Sequence, residues 1–178
     1  MAMDRKTLKQ IARMAGGKLI GAGETSVDRI STDSRSLLPG DLFVALRGDR
    51  FDGHFYLESA YNRHAAGAIV EKCDPSLNCL PQIEVPDTVL ALQQLAKSYR
   101  EELSLKAVGI TGSNGKTSVK EMISAVLAIR FKVVKTAGNL NNHIGVPLTI
   151  LSADSRHDIG QMLKLRSQTA GVTNPSRP

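Results

Sequence analysis

GITGSNGKTSVKEM, residues 109–122, is a glycine-rich turn that closes on Gly115-Lys116-Thr117. Ahead of it, KAVGI (106–110) has the length and composition of a buried strand. Behind it, KTSVKEMISAVLAIR (116–130) sets Val119, Met122, Ile123, Val126 and Leu127 at the i, i+3, i+4, i+7, i+8 spacing of a helix. FKVVKT (131–136) reads as the next strand. Strand, loop, helix, strand is the opening of a parallel α/β sheet. In a phosphate-binding loop, glycines turn backbone N–H groups toward the anion and the helix N-terminus adds its positive end. A lysine then reaches the terminal phosphates and the next hydroxyl holds Mg²⁺. Gly112, Ser113, Asn114, Gly115, Lys116, Thr117 and Ser118 fit that part, with Lys116 as the catalytic cation and Thr117 as the metal ligand. One position is out of frame: a Walker A pattern wants glycine five residues before Gly115, where Ile110 stands. Taken alone, the loop points to a nucleoside triphosphate; the competing reading is a glycine-rich turn with a chance GKT.

Outward from the loop, residues 4–15 read as a short helix and 88–103 as a longer one, with Val89, Leu92, Ala96, Tyr99 and Leu103 in register. KLIG, VDRIS, DLFVAL, AGAIV and QIEV read as strands, and a helix is expected over 54–64. The texture changes at Lys106, so a boundary is expected near 105. The expected organisation is a small α/β domain at 1–105, the beginning of a parallel-sheet ATPase domain at 106–152, and an atypical, disordered tail at 153–178. Pro147 suits the first turn of a further helix.

The chain has 178 residues, 42% hydrophobic and 22% charged, ordinary values for a globular protein. Its net charge of +6 is scattered among acids without a basic run, which suits polyanionic small substrates and argues against nucleic acid. Aromatics at 4%, with no Trp, argue against base-stacking platforms. Cys73 and Cys79 lack histidines at metal-ligand spacing and read as free thiols of a reducing compartment. No apolar run approaches the ~20 residues of a membrane span, and the charged N-terminus is no signal peptide, so a cytoplasmic protein is expected.

The off-frame loop TGSNGKT resembles that of the Mur ligases, the ATP-dependent enzymes that build the peptide stem of bacterial cell-wall precursors. Three more stretches carry the resemblance: STDSR (31–35), PGDLFVAL (39–46) and FDGH (51–54) look like an N-terminal UDP-binding domain of that family. SVKEM (118–122) and TAGNLNNHIGVPLTIL (136–151) are similar to the member type that adds D-alanyl-D-alanine. The resemblance spans about residues 3–151 and implies ATP and Mg²⁺ as cofactors, with UDP-N-acetylmuramoyl-tripeptide and D-alanyl-D-alanine as substrates of a monomer. It implies a UDP site at Ser31, Thr32, Asp33, Ser34, Arg35, Arg47, Asp52, Gly53 and His54, and a muramoyl-facing set at Asn139, Asn141 and Asn142. On local grounds STDSR is equally a capped turn, His54 is more often structural, and the asparagines more often make a turn.

The implied chemistry is phosphorylation of a carboxylate by ATP, then attack of an amine on the acyl phosphate. Family motifs beyond this loop (a second metal-binding carboxylate and the adenine contacts) have no counterpart in the chain. It is therefore expected to be an inactive truncated form, with apolar Val119, Met122 and Val126 left uncovered. The alternative is a non-catalytic UDP-sugar-binding module.

Overall fold

The computed structural model describes residues 3–48, 51–111, 114–136 and 142–163. In chain order the elements are β1 (Lys6–Thr7), α1 (Leu8–Ala15), β2 (Lys18–Ile20), β3 (Ser26–Val27), β4 (Ile30–Ser31), β5 (Leu42–Val44), β6 (Arg47–Gly48) and β7 (Phe51–Asp52). There follow α2 (Leu57–Asn62), β8 (Gly67–Val70), β9 (Gln82–Glu84), α3 (Thr88–Glu102), β10 (Lys106–Ile110), α4 (Lys116–Leu127), β11 (Val133–Lys135), α5 (Gly145–Ile150) and β12 (Ile159–Leu163). α1 starts later than its periodicity suggests because Thr7 and Gln10 close a reciprocal capping box, and Lys6–Thr7 pair instead with Ser26–Val27. The helix expected over 54–64 divides into a 3₁₀ turn, Gly53–Tyr56, and α2.

Two sheets result. The first has the order β2-β9-β8-β5-β4, parallel except for β2 against β9. Its strands alternate strictly: Leu42, Val44 and Ile69 face a core with Leu8, Ile11, Leu92 and Leu95, while Phe43, Ala45, Ala68 and Val70 face Leu37, Leu57, Ala60 and Leu80. Helices therefore cover both faces, as a parallel sheet requires.

The second sheet, β10-β12-β11, is parallel throughout, and α4 makes the crossover between β10 and β11. It corrects the expected tail: 153–163 is ordered structure, with β12 as the central strand. A five-residue central strand is too short to show a period. Gly160 adds no apolar signal, and a Cβ there would stand 2.9 Å from Leu105 Cδ1. Residues 164–178 lie outside the described residues. KAVGI is also less buried than expected: β10 is an edge strand in which only Ile110 is buried.

α3 joins the sheets. The phenol of Tyr99, fully buried, donates to Ala153 O at 2.9 Å and accepts from Asp4 N at 2.8 Å, and burial pushes its pKa up to about 12. Ser155 caps the other side of Asp4, and Gln93 Nε2 donates to His143 O at 3.1 Å. One apolar core runs through Leu92, Tyr99, Leu103, Leu105, Val134 and Ala153. Among the described residues no helix is long and apolar enough to cross a membrane.

Candidate functional site

The segment expected to bind phosphate lies between β10 and α4. Gly115 takes φ +75, the left-handed conformation that a side chain resists, and Lys116 is the first helical residue. Lys116 is half-buried, whereas Asn114, Thr117 and Ser118 are exposed at the helix N-terminus. Helix dipole, left-handed glycine and lysine thus converge at the strand ends where parallel sheets bind ligands. Gly112 and Ser113, and likewise Asn139 and Asn141, lie outside the described residues. Asn142 is described: its Oδ1 accepts from Ile144 N at 3.2 Å and Gly145 N at 2.7 Å, so its oxygen starts α5.

A second site lies on the first sheet. A pocket of about 420 Å³ is lined by Thr32, Asp33, Ser34 and Arg35 from one turn and by Phe51 and Tyr56 from another. The two rings stack at 5.5 Å, and both are exposed. The scarcity of aromatics in the composition hid this platform: only the local FDGHFY pattern brings the rings together. Asp33 grips Arg35 through Nε at 2.9 Å and Nη2 at 2.8 Å. That guanidinium, then the Arg35 amide, holds the carboxyl at about 2, below its ordinary range. The pair is open to water, so an anionic ligand competes for Arg35 on favourable terms. Ser31 is turned inward, exchanging hydrogen bonds with the Asp33 backbone.

Arg47, Asp52, Gly53 and His54 do not line this pocket. His54 accepts from Glu71 N at Nε2, 2.8 Å, which leaves Nδ1 to donate to Asp52 at 2.6 Å. Both ring nitrogens are engaged inside the fold. Arg47 bridges Asp52 at 2.8 Å and Glu71 at 3.2 Å. Burial opposes ionisation of Asp52, yet the His54 amide, Arg47 and the His54 ring hold it down at about 2. Gly53 allows close approach, but to its own chain: a Cβ would stand 2.8 Å from the backbone of Ala45 and Leu46. The cluster fixes the turn that presents Phe51 and Tyr56.

Two supporting residues escaped the sequence reading. Arg29 Nε donates to Asp41 Oδ1 at 2.7 Å, and its Nη2 also donates to Asp41 and to Ser36 O, the latter at 2.8 Å. Asp41, buried, also accepts from Leu38 N at 2.7 Å. This pair ties the STDSR turn to β5. Neither residue carries a distinguishing spacing; Asp41 in PGD reads as a turn residue.

The geometry, then, has a pocket with two exposed rings, hydroxyls and a guanidinium, and a separate left-handed glycine and lysine at a helix start. Comparison with known proteins gives the family of both regions. Residues 26–100 match the Mur ligase family, catalytic domain, and residues 110–162 match the Mur ligase middle domain. UDP-N-acetylmuramoyl-tripeptide–D-alanyl-D-alanine ligase of Bacillus subtilis (strain 168) is 43% identical over 163 residues, covering 88% of this chain and 35% of the relative. A crystal structure of MurF from Acinetobacter baumannii superposes with TM-score 0.86 at 35% identity, over 92% of this chain and 36% of that one. The MurF ligase of Thermotoga maritima in complex with ADP superposes with TM-score 0.67 at 35% identity, over 76% and 31% of the two chains. The chain spans about a third of the length of the relatives it matches.

Proposed function

We propose, on the premise that the chain belongs to the Mur ligase family, that it carries the UDP-substrate pocket and the ATP phosphate loop of a D-alanyl-D-alanine-adding ligase. The domain division follows: residues 1–105 hold the UDP-linked substrate and 106–163 begin the ATP-binding unit. In the whole enzyme a terminal carboxylate oxygen of UDP-N-acetylmuramoyl-tripeptide attacks the γ-phosphorus of ATP and ADP leaves. The amine of D-alanyl-D-alanine then attacks the acyl carbon, phosphate departs, and a peptide bond forms. These substrates place the reaction in the cytoplasm.

The roles of this chain's residues follow from their positions. Phe51 and Tyr56 offer the uracil a stacking face, while Thr32, Ser34 and Arg35 meet ribose and diphosphate. Asp52, His54 and Arg47 hold that turn from behind. Lys116 and the first amides of α4 receive the terminal phosphates, whose charge they stabilise during transfer. Thr117, exposed in the first turn, is the hydroxyl to hold Mg²⁺; among the described residues no three His, Cys, Asp or Glu side chains gather to bind a metal. One hydroxyl with phosphate oxygens and water is a donor set that suits Mg²⁺. When bound, the ion neutralises charge on the phosphates.

The observation that carries the reading is the glycine-lysine-threonine turn at a β10–α4 junction whose first glycine is out of the Walker frame. Calorimetric titration tests it. The chain binds Mg-ATP and UDP-N-acetylmuramoyl-tripeptide; Lys116→Ala abolishes the first and leaves the second. Mg-ATP affinity unchanged in that variant refutes the loop assignment, and UDP binding without any ATP binding favours the non-catalytic module.

A further inference from the structure

We infer that Lys120 is a positioning residue of the phosphate site, a buried ammonium that locks α4 to the end of β11 and so sets the aim of Lys116. The inference rests on the nucleotide reading above. Lysine is almost never fully buried unless paired, yet Lys120 is 0% exposed, on the face of α4 that also buries Ser124. A leucine or methionine there would fill the space without desolvating a charge. The ammonium therefore serves a polar partner, and the geometry identifies one: Nζ donates to Thr136 O at 2.8 Å.

Thr136 is itself fully buried and directly follows β11. The β11–β12 register ends at Lys135 paired with Gln161, so the Thr136 carbonyl lies past the last rung of the ladder. Lys120 supplies that carbonyl with a donor, as buried backbone oxygens require. The neighbouring residue strengthens the link: the Glu121 carboxylate stands 3.4 Å from Lys120 Nζ and pairs closely with Lys135. Two consecutive residues of α4 thus grip two consecutive residues at the carboxyl end of β11.

The consequence for the site comes from helix geometry. Lys116 and Lys120 are four residues apart, hence neighbours on one face, and Gly115 fixes the start of the helix one turn earlier. Anchoring Lys120 to the sheet determines how far the first turn of α4 projects beyond the strand ends. A slide or rotation of that turn displaces Lys116, Thr117 and the helix amides together relative to a bound triphosphate.

Ligand titrations and NMR together test this on the 178-residue chain. Lys120→Met is expected to weaken Mg-ATP binding at least tenfold while UDP affinity stays within twofold, and Lys120→Arg, which keeps donors, to recover part of the loss. In the wild type a slowly exchanging ¹⁵N–¹H ammonium resonance at neutral pH, absent from Lys120→Met, is expected to shift on addition of Mg-ATP and not of UDP. Equal loss of ATP and UDP affinity means a merely structural role and overturns the inference, as does unchanged ATP affinity. If Lys120→Met fails to fold, an ammonium resonance indifferent to Mg-ATP overturns it instead. A wild-type chain that binds no ATP removes the nucleotide reading itself, a result distinct from each of these.

Discussion

The five-stranded and three-stranded sheets are built on the same parallel crossover, but the helices that cover them press different kinds of side chain inward. α1 and α3 press Leu8, Ile11, Leu92 and Leu95 against the first sheet, whose other face is closed by Leu57 and Ala60 of α2. α4 presses Lys120 and Ser124 against the second and holds Val119, Met122 and Val126 in solvent, Met122 at 69% exposure, and Ile129 in the turn after it is 85% exposed. The first region is closed around its core; among the described residues the second is a sheet with one helix face open and β10 at its edge. Apolar surface therefore orients the helices of the first region, whereas a charged hydrogen bond helps to orient the helix of the second.

The largest effect that sharpens this contrast is a cavity in the closed region. Leu92→Ala, at a fully buried position, is expected to cost about 2–5 kcal/mol in urea denaturation. The same truncation at Met122 is expected to stay within about 0.5 kcal/mol. Comparable losses at the two positions would erase the distinction between a closed and an open region.

Next in size is Gly53→Ala. The added methyl meets backbone, not a flexible side-chain tip, and overpacking of this kind costs roughly 1–3 kcal/mol. Because the same turn carries Phe51 and Tyr56, UDP affinity should fall with stability while Mg-ATP affinity holds. A stable variant with full UDP affinity would detach the turn from the pocket.

Acid titration gives a third, smaller contrast. A carboxyl held below its ordinary value stabilises the fold above the unfolded-state pKa of about 3.9, and the contribution is lost as pH falls through the folded value. For Asp52, at about 2, the loss falls between roughly pH 4 and 2. Asp154, held lower still by Arg156 and His157 despite burial, continues to lose stability below that window. Asp52→Asn should flatten the upper part of the melting-temperature profile and leave the lower part. An unchanged profile would mean that the Arg47–Asp52–His54 cluster contributes nothing to folding.

The smallest effect belongs to the open face. Met122→Glu should leave the melting temperature nearly unchanged and reduce self-association in light scattering, since it removes apolar surface from solvent. A marked drop in stability would show that α4 packs through this face.

Legibility in the sequence followed the same division. DLFVAL and AGAIV were readable as strands because both of their faces are buried in apolar surroundings, and α3 because its apolar residues keep one register. The apolar stripe of α4 was readable too, along with its exposure at Val119, Met122 and Val126, but not the buried Lys120 opposite, since a lysine in a helical pattern reads as a solvated side. β12 was hidden by its brevity. Of the candidate sites, STDSR and the GKT turn were legible as motifs. Phe51, Tyr56, Arg29 and Asp41 are brought into place by tertiary packing, and His54 and Gly53 make contacts inside the turn that the motif did not announce.

The central claim is that one chain holds two separate nucleotide sites, one on each sheet. The most direct measurement is a sequential calorimetric titration with UDP-N-acetylmuramoyl-tripeptide and then Mg-ATP. Each ligand is expected to bind once, with saturation by the first leaving the second site available. Mutual displacement of the two ligands, or binding of only one of them, would contradict it.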